Sequence, residues 1–356
     1  VSAGTGPPPG PPPVDRGPLA GRTVAVTGAA GFIGSFTAVE LAAAGARVLA
    51  IDRDPGPRRH LAEAVAGGRL GFVTAPTRWP HPRSWWDGVE RAGTLEPVDA
   101  LVHLGYQEPT AADPIGVYRQ EVAANVTATI ELLERLGRRV TTVVAASSSL
   151  VYGPGRRTPV PETADRCPSS PYGVAKYDLE RVVEWWAGDD RLGVAARIAT
   201  VYGPTETVPR AVPTFIRAAL AGRRPEVAVA GDARDYLNVA DAARGLAALV
   251  AGAPAVVGRS GGFAGVNLGT GSATTTVELA RAVLDLTGLG GEPVIAAPTR
   301  PPQSVVVDPA LLEARTGFRP SVPLRAGLAD EVAWFRAHPH LWRPPTPSTG
   351  PVGAPR

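Results

Sequence analysis

Methionine is absent from this sequence, and lysine, cysteine and asparagine are nearly so. Of 36 basic residues, Lys176 alone is lysine and the rest are arginine. Asparagine occurs only at Asn125, Asn238 and Asn267. Lysine, methionine and asparagine have A/T-rich codons, so the pattern reads as a GC-rich gene, and the abundance of arginine carries little functional information. A single cysteine, Cys167, excludes an internal disulfide and a cysteine-based metal site. A reducing cytoplasm and no bound metal are therefore expected. The thiol itself is expected to be inert and half-buried. No apolar run reaches the 18 or so residues that a membrane-crossing helix needs. The N-terminal stretch lacks the basic start and apolar segment of a signal peptide. The formal net charge is only +3, and the arginine pairs (Arg58-Arg59, Arg138-Arg139, Arg156-Arg157, Arg223-Arg224) are scattered rather than striped. That argues against nucleic acid or an acidic membrane surface as a partner.

What the sequence does contain is an ordinary globular body. The chain has 356 residues, 44% hydrophobic and 19% charged, which is enough to bury a core and excludes wholesale disorder. Residues 1–20 and 343–356 are dominated by Pro and Gly and are expected to be disordered tails. Between them, β-branched runs alternate with helical spacing. Strands are expected at Thr23–Thr27, Arg47–Ile51, Leu70–Thr74, Ala100–Leu104, Val140–Ala146, Val194–Ile198 and Gly265–Leu268. Helices are expected at Phe36–Ala44, Val117–Leu136, Tyr172–Trp186 and Asn238–Val250. Strand–helix alternation implies an α/β fold: a Rossmann-type doubly wound parallel sheet with right-handed crossovers. The expected dinucleotide-binding domain comprises 21–204 plus 235–269. Residues 205–234 plus 270–342 break the alternation and are assigned to a smaller substrate-binding domain. The Trp85-Trp86 and Trp185-Trp186 pairs are expected in the core.

The first strand runs into Gly28-Ala29-Ala30-Gly31-Phe32-Ile33-Gly34. Three glycines spaced by three, between a strand and a helix, suit a pyrophosphate that must approach backbone N–H groups at a helix N-terminus. Asp52 ends the second strand 18 residues after Gly34. A carboxylate there can accept both ribose hydroxyls of the adenosine and repels a 2′-phosphate, which favours NAD. Arg53 follows directly, so NADP stays open.

Tyr172 and Lys176 stand at i and i+4 and share one helix face. A tyrosine with a pKa of about 10 is a poor acid–base group at neutral pH. An adjacent ammonium favours its phenolate, and the ammonium can also hydrogen-bond a nicotinamide ribose. Ser148 lies where the fifth strand ends, at the sheet edge where such folds bind ligands, and can hold a reacting sugar oxygen near Tyr172. An arginine-rich chain with one lysine has placed it here, where a compact ammonium fits and a guanidinium fork does not. Asn125, on a helix facing the site, is a candidate for ordering the nicotinamide side.

These segments resemble the extended short-chain dehydrogenase/reductases, the NAD-dependent nucleotide-sugar epimerase, dehydratase and reductase family. Carrying the resemblance are Gly31-Phe32-Ile33-Gly34, His103-Leu104-Gly105, Ser147 through Gly153, Tyr172 through Lys176, Arg197 to Gly203-Pro204, Gly231 to Asp241, Asn267-Leu268-Gly269 and Gly317 to Pro320. The resemblance implies a nucleotide-sugar substrate and a homodimer, with Leu104 and Gly105 on the coenzyme side. It places Ser149, Thr200, Arg234 and Arg300 on the substrate side, with the two arginines clamping its diphosphate. Dehydratases of this family carry an Asp-Glu pair where this chain has Ser149 and Leu150, and Leu150 transfers no proton. Two reactions remain open. One is NAD(P)-dependent reduction at C4 of a dTDP-4-keto-6-deoxyhexose. For this the stretch Ser304–Leu328 looks like the 4-ketoreductases of actinomycete deoxysugar (antibiotic) pathways, and Ala75-Pro76-Thr77, in place of the usual adenine-holding turn, suits an exchanging coenzyme. Reduction is the expected reaction; the alternative is NAD-dependent 4-epimerisation, as in UDP-glucose 4-epimerase, toward which Asp52 points and from which Thr200, standing where many such epimerases carry Asn, departs. A non-catalytic, cofactor-sensing protein is the reading from another class, against which the retained Tyr172 and Lys176 stand.

Overall fold

The computed structural model describes residues 17–53, 59–68, 70–74, 98–137, 139–188, 190–258, 261–298 and 300–342. The Ala75-Pro76-Thr77 turn, Trp85-Trp86, Arg58, Arg138 and most of both tails lie outside the described residues. Residues 17–20, assigned from sequence to the N-terminal tail, belong to the packed body. Leu19 is fully buried, and its N–H donates to the Ala44 carbonyl at 3.0 Å.

Seven parallel strands form the main sheet: β1 (Thr23–Thr27), β2 (Arg47–Asp52), β3 (Leu70–Thr74), β4 (Ala100–His103), β5 (Thr142–Ser148), β6 (Leu192–Ile198) and β11 (Gly262–Leu268). Their spatial order is β11-β6-β5-β4-β1-β2-β3. The order reverses between β1 and β4, which opens a crevice at the C-terminal ends of those strands. The central strands are buried on both faces because helices cover both sides; β1, β4 and β6 are mostly apolar, and His103 and Arg197 within them are buried too. The architecture is a Rossmann-type doubly wound α/β sheet.

One face carries α1 (Phe32–Ala43) and α7 (Val239–Val257), with α2 (Arg59–Ala66) beside α1. By length and hydropathy α7 alone among the described helices could cross a bilayer. Its Ala242, Leu246, Leu249 and Val250 are instead buried in the core, as a largely apolar core helix requires. The other face carries α3 (Pro114–Glu121), α4 (Thr127–Leu136) and α5 (Pro171–Trp186). Sequence periodicity predicts one helix over 117–136; the structure splits it with a π-helical turn at Val122–Val126. Such turns are rare and often mark functional positions. Of the Trp185-Trp186 pair, Trp186 enters the core and Trp185 is exposed.

Beside the short strands β8 (Glu226–Val227) and β9 (Ala233–Arg234), a second apolar cluster gathers β10 (Tyr236–Asn238), α6 (Ala211–Leu220), α8 (Thr276–Thr287) and α10 (Leu324–Ala337) around Phe215, Ile216, Leu279 and Phe335. Val307, Leu312 and Phe318 come from the stretch assigned by sequence to this smaller unit, but they pack into the first core. They arrive there because α9 (Ala310–Thr316) lies on α7.

Candidate active site

The glycine loop joins β1 to α1. Gly28 has φ of +69°, and a Cβ there would lie 2.7 Å from the Leu104 carbonyl oxygen and 2.8 Å from the Gly105 nitrogen. A Cβ on Gly34 would collide with the Gly28 carbonyl. Those two glycines let the loop close on the sheet and the helix close on the loop. Gly31 is the N-cap of α1, and no side chain caps the helix there. A Cβ on Gly31 would meet only the Gly28 carbonyl oxygen, at 3.0 Å, so its other side is free for a ligand. The first turn of α1, with the positive end of its dipole, begins at Phe32 and Ile33. Asp52 ends β2, buried, and its carboxylate accepts the Ala30 N–H at 2.8 Å. From sequence Asp52 is expected to accept the ribose hydroxyls; in the structure its carboxylate holds the glycine loop. Arg53, exposed, donates to the Gln107 side chain at 3.3 Å. A helix N-terminus with glycine as its N-cap, a cradle that side chains would fill and a carboxylate beside it fit a dinucleotide.

Ser148 ends β5 and caps a 3₁₀ turn over Ser149–Tyr152, its Oγ accepting the Leu150 N–H at 3.2 Å. Helix α5 starts at Pro171, with Ser170 accepting the Gly173 N–H as N-cap. Tyr172 is thereby in the first turn, half-buried, and Lys176 one turn on, buried. The Lys176 ammonium lies 5.7 Å from the Tyr172 ring centroid. Burial raises the Tyr172 phenol above its usual pKa, while the positive charge of Arg210 and a hydrogen bond with Ser148 pull it down. Burial lowers Lys176 to about 8, and the Glu121 carboxylate opposes that shift. Ser148, Tyr172 and Lys176 thus meet at the C-terminal edge of β5.

Asn125 sits in the π turn, buried. It accepts the Gln107 N–H at 2.8 Å and donates to the Gln107 carbonyl at 3.1 Å, so it clamps the segment after β4 that carries Leu104 and Gly105. On the substrate side, Ser149 is buried and Thr200 opens β7 (Thr200–Tyr202), its N–H donating to the Asp235 carbonyl at 2.9 Å. Arg234 and Arg300 are brought together, both facing Asp232: Arg300 Nη1 donates to it at 2.9 Å and Arg234 Nη2 lies 3.9 Å away. Both keep exposed surface. Cys167 is exposed, not half-buried, because its segment runs over the surface between the 3₁₀ turn and α5.

Sequence reasoning left three site neighbours unassigned. Tyr106 packs edge-on against Tyr172, with centroids 5.6 Å apart. Its hydroxyl donates to buried Glu121 at 2.6 Å. Arg210 bears electrostatically on Tyr172. No local pattern announces any of them.

Comparison with known proteins agrees with this geometry. The model of the NAD-dependent epimerase/dehydratase family matches residues 24–258. The chain belongs to that family. The epimerase/dehydratase chain is 28% identical to UDP-glucose 4-epimerase 4 of Oryza sativa subsp. japonica, over 84% of its own length and 85% of the relative's. It is 29% identical to a dTDP-glucose 4,6-dehydratase of Actinoplanes sp., over 90% and 99%. Among solved structures it resembles MoeE5 in complex with UDP-glucose and NAD, with 31% identity and a TM-score of 0.73 over 89% of this chain and 99% of the other. It is therefore an enzyme of the NAD-dependent nucleotide-sugar epimerase/dehydratase family.

Proposed function

We propose that this enzyme is an NAD-dependent 4-epimerase of a nucleoside-diphosphate hexose. The observation that carries the reading is the meeting of Ser148, Tyr172 and Lys176 above the glycine loop, with Leu150 where dehydration needs a proton-transferring side chain. The UDP-glucose 4-epimerases among the relatives favour epimerisation. Of the stretch Ser304–Leu328, which carries the resemblance to 4-ketoreductases, Val305, Val306, Val307, Leu312 and Leu328 are buried, Val307 and Leu312 in the first apolar core and Leu328 in the second.

In this reading NAD, when bound, takes up and returns the hydride of C4. Gly28, Gly31 and Gly34 leave room for its pyrophosphate against Phe32 and Ile33, and Asp52 accepts the adenosine ribose hydroxyls. Arg53, Leu104 and Gly105 border the same groove, and Asn125 fixes its floor. Tyr172 takes the O4 proton and gives it back. Ser148 hydrogen-bonds O4 and orients it toward Tyr172. Lys176 supplies the positive charge that favours phenolate and holds a ribose hydroxyl. Arg234 and Arg300 hold the diphosphate, with Ser149 and Thr200 on the same side. Exposed Ile115, Ile130 and Trp185, on α3, α4 and α5, suit burial between two copies of the chain, which supports a homodimer.

The test is to measure NAD released on denaturing the purified protein. The protein is then incubated with UDP-glucose without added coenzyme, and separately with a dTDP-4-keto-6-deoxyhexose plus NADH or NADPH. Interconversion of C4 epimers without added coenzyme is the expected result. Stoichiometric coenzyme oxidation on the keto sugar, with no epimerisation, overturns it in favour of the reductase.

A further inference from the structure

Glu121 is a carboxylate only 1% exposed, at the last residue of α3. Two neutral groups hold it. Tyr106 donates its hydroxyl to Oε1 at 2.6 Å, and Asn125 donates Nδ2 to Oε2 at 2.7 Å. A buried anion is costly unless a cation compensates it. The cation on this side is Lys176, whose ammonium lies 5.1 Å from the centroid of the Tyr106 ring. That ring spans the gap: its face receives the ammonium, its hydroxyl reaches Glu121, and it meets Tyr172 edge-on. The π turn at Val122–Val126 places Asn125 on the same carboxylate while its amide clamps Gln107, so the Tyr106 loop and Glu121 are fixed together.

We propose that Glu121, linked through Tyr106, is the counter-charge of Lys176, a positioning residue that keeps the ammonium charged in a desolvated site. Its contact with the coenzyme side is the bond from Asn125, and it acts through Lys176. Burial alone drives Lys176 toward the neutral amine, and Glu121 is the group that opposes it. The same negative charge raises the Tyr172 phenol, so Glu121 balances the pair rather than simply activating it. The other groups facing this cluster are Glu108 beside Tyr106, His103 on β4, which the Lys176 charge helps keep neutral, and Arg210, which acts on Tyr172. The inference deepens the proposed active site, but its test needs neither substrate nor turnover.

Because Lys176 is the chain's one lysine, an amine-acylating reagent reports on it directly. Trace labelling of the full chain with acetic anhydride from pH 6 to 11, at matched coenzyme content, is read by peptide mass spectrometry; the α-amino group appears on a separate peptide. The wild-type midpoint is expected near 8. Glu121→Gln keeps the shape and removes the charge, and is expected to lower the midpoint by about one unit, raising labelling at pH 7 several-fold. Tyr106→Phe keeps the ring and is expected to shift it the same way by less. If Glu121→Gln does not fold, as judged by circular dichroism, Tyr106→Phe decides alone. A midpoint unchanged or raised in a folded variant overturns the proposal. Loss of epimerase activity against every sugar, with the midpoint shifted as expected, overturns the functional reading and leaves this one standing.

Discussion

The Lys176 ammonium donates a 2.9 Å hydrogen bond to the Ala146 backbone carbonyl. That bond ties helix α5 to strand β5 two residues before Ser148. It therefore sets Tyr172, one helical turn earlier, against the serine. The lysine thus fixes where the phenol stands, while Arg210 and Ser148 are the groups that pull its pKa down.

Lys176→Arg is expected to abolish most of this arrangement. The pocket accepts a compact ammonium beside two tyrosine rings, and a planar fork is larger and differently hydrated. Turnover should fall ~100-fold or more, while circular dichroism stays native. Tyr172→Phe should lose at least as much. Turnover within a few-fold of wild type in either variant would remove the catalytic assignment.

The glycine loop separates stability from coenzyme retention. Gly28→Ala combines a positive φ with a 2.7 Å approach to the Leu104 carbonyl. It should cost about 1–3 kcal/mol in urea unfolding and also release NAD. Gly31→Ala meets only the Gly28 carbonyl, at 3.0 Å. It should keep most of the stability yet retain less NAD after gel filtration. Equal NAD content in wild type and Gly31→Ala would mean that the open side of Gly31 is not the ligand's side.

Glu180 tests the buried framework behind the site. Arg197 grips it with two bonds, from Nε at 3.0 Å and Nη2 at 2.9 Å, and Ser147 and Arg166 donate to it at 2.6 and 2.9 Å. Arg197 Nη1 continues to the Tyr152 hydroxyl at 2.9 Å, and Tyr152 to Asn267 at 2.6 Å. The network therefore joins β5, β6, β11 and α5. Glu180→Gln leaves the arginine buried without its counter-charge, and a loss of about 3–5 kcal/mol in denaturant unfolding is expected. A loss below ~1 kcal/mol would show that the surroundings relax to solvate Arg197.

His103 makes stability fall in acid. It is buried, with Nδ1 2.7 Å from Thr27 Oγ1 and Nε2 3.0 Å from Thr129 Oγ1. Burial, helped by the Lys176 charge, lowers its pKa from 6.5 to about 4. Between those values the unfolded chain binds a proton that the folded one refuses, so stability decreases as pH drops through that window. The contribution is roughly 3 kcal/mol by pH 4. Urea unfolding from pH 7 to 4 should show this loss, and His103→Gln should flatten it. An unchanged slope in the variant would assign the loss to other groups.

The local half of this protein was legible in its sequence. Thr23–Thr27 and Leu70–Thr74 form strands with the expected bounds because β-branched runs between turn residues have one good conformation. The Gly28–Gly34 loop and the Tyr172/Lys176 pair depend on spacing along one strand–turn–helix and on one helix face, so residue order alone places them. Helix α5 begins at Pro171 because Ser170 and Pro171 are a readable cap.

Tertiary structure decided the rest, and the reason is physical. Whether a polar side chain is buried, and what compensates it, depends on residues far away in sequence. Glu121 and Tyr106 read as an ordinary helix acid and a loop aromatic until β4 and the π turn bring them beside Lys176. Trp185 and Trp186 are adjacent, yet only the second points inward, because α5 buries one face. Arg234 and Arg300 are 66 residues apart and converge on Asp232 only once their strands and loops are in place. Lys176 was singled out by its rarity, but the carboxylate that balances its charge could be found only by folding the chain.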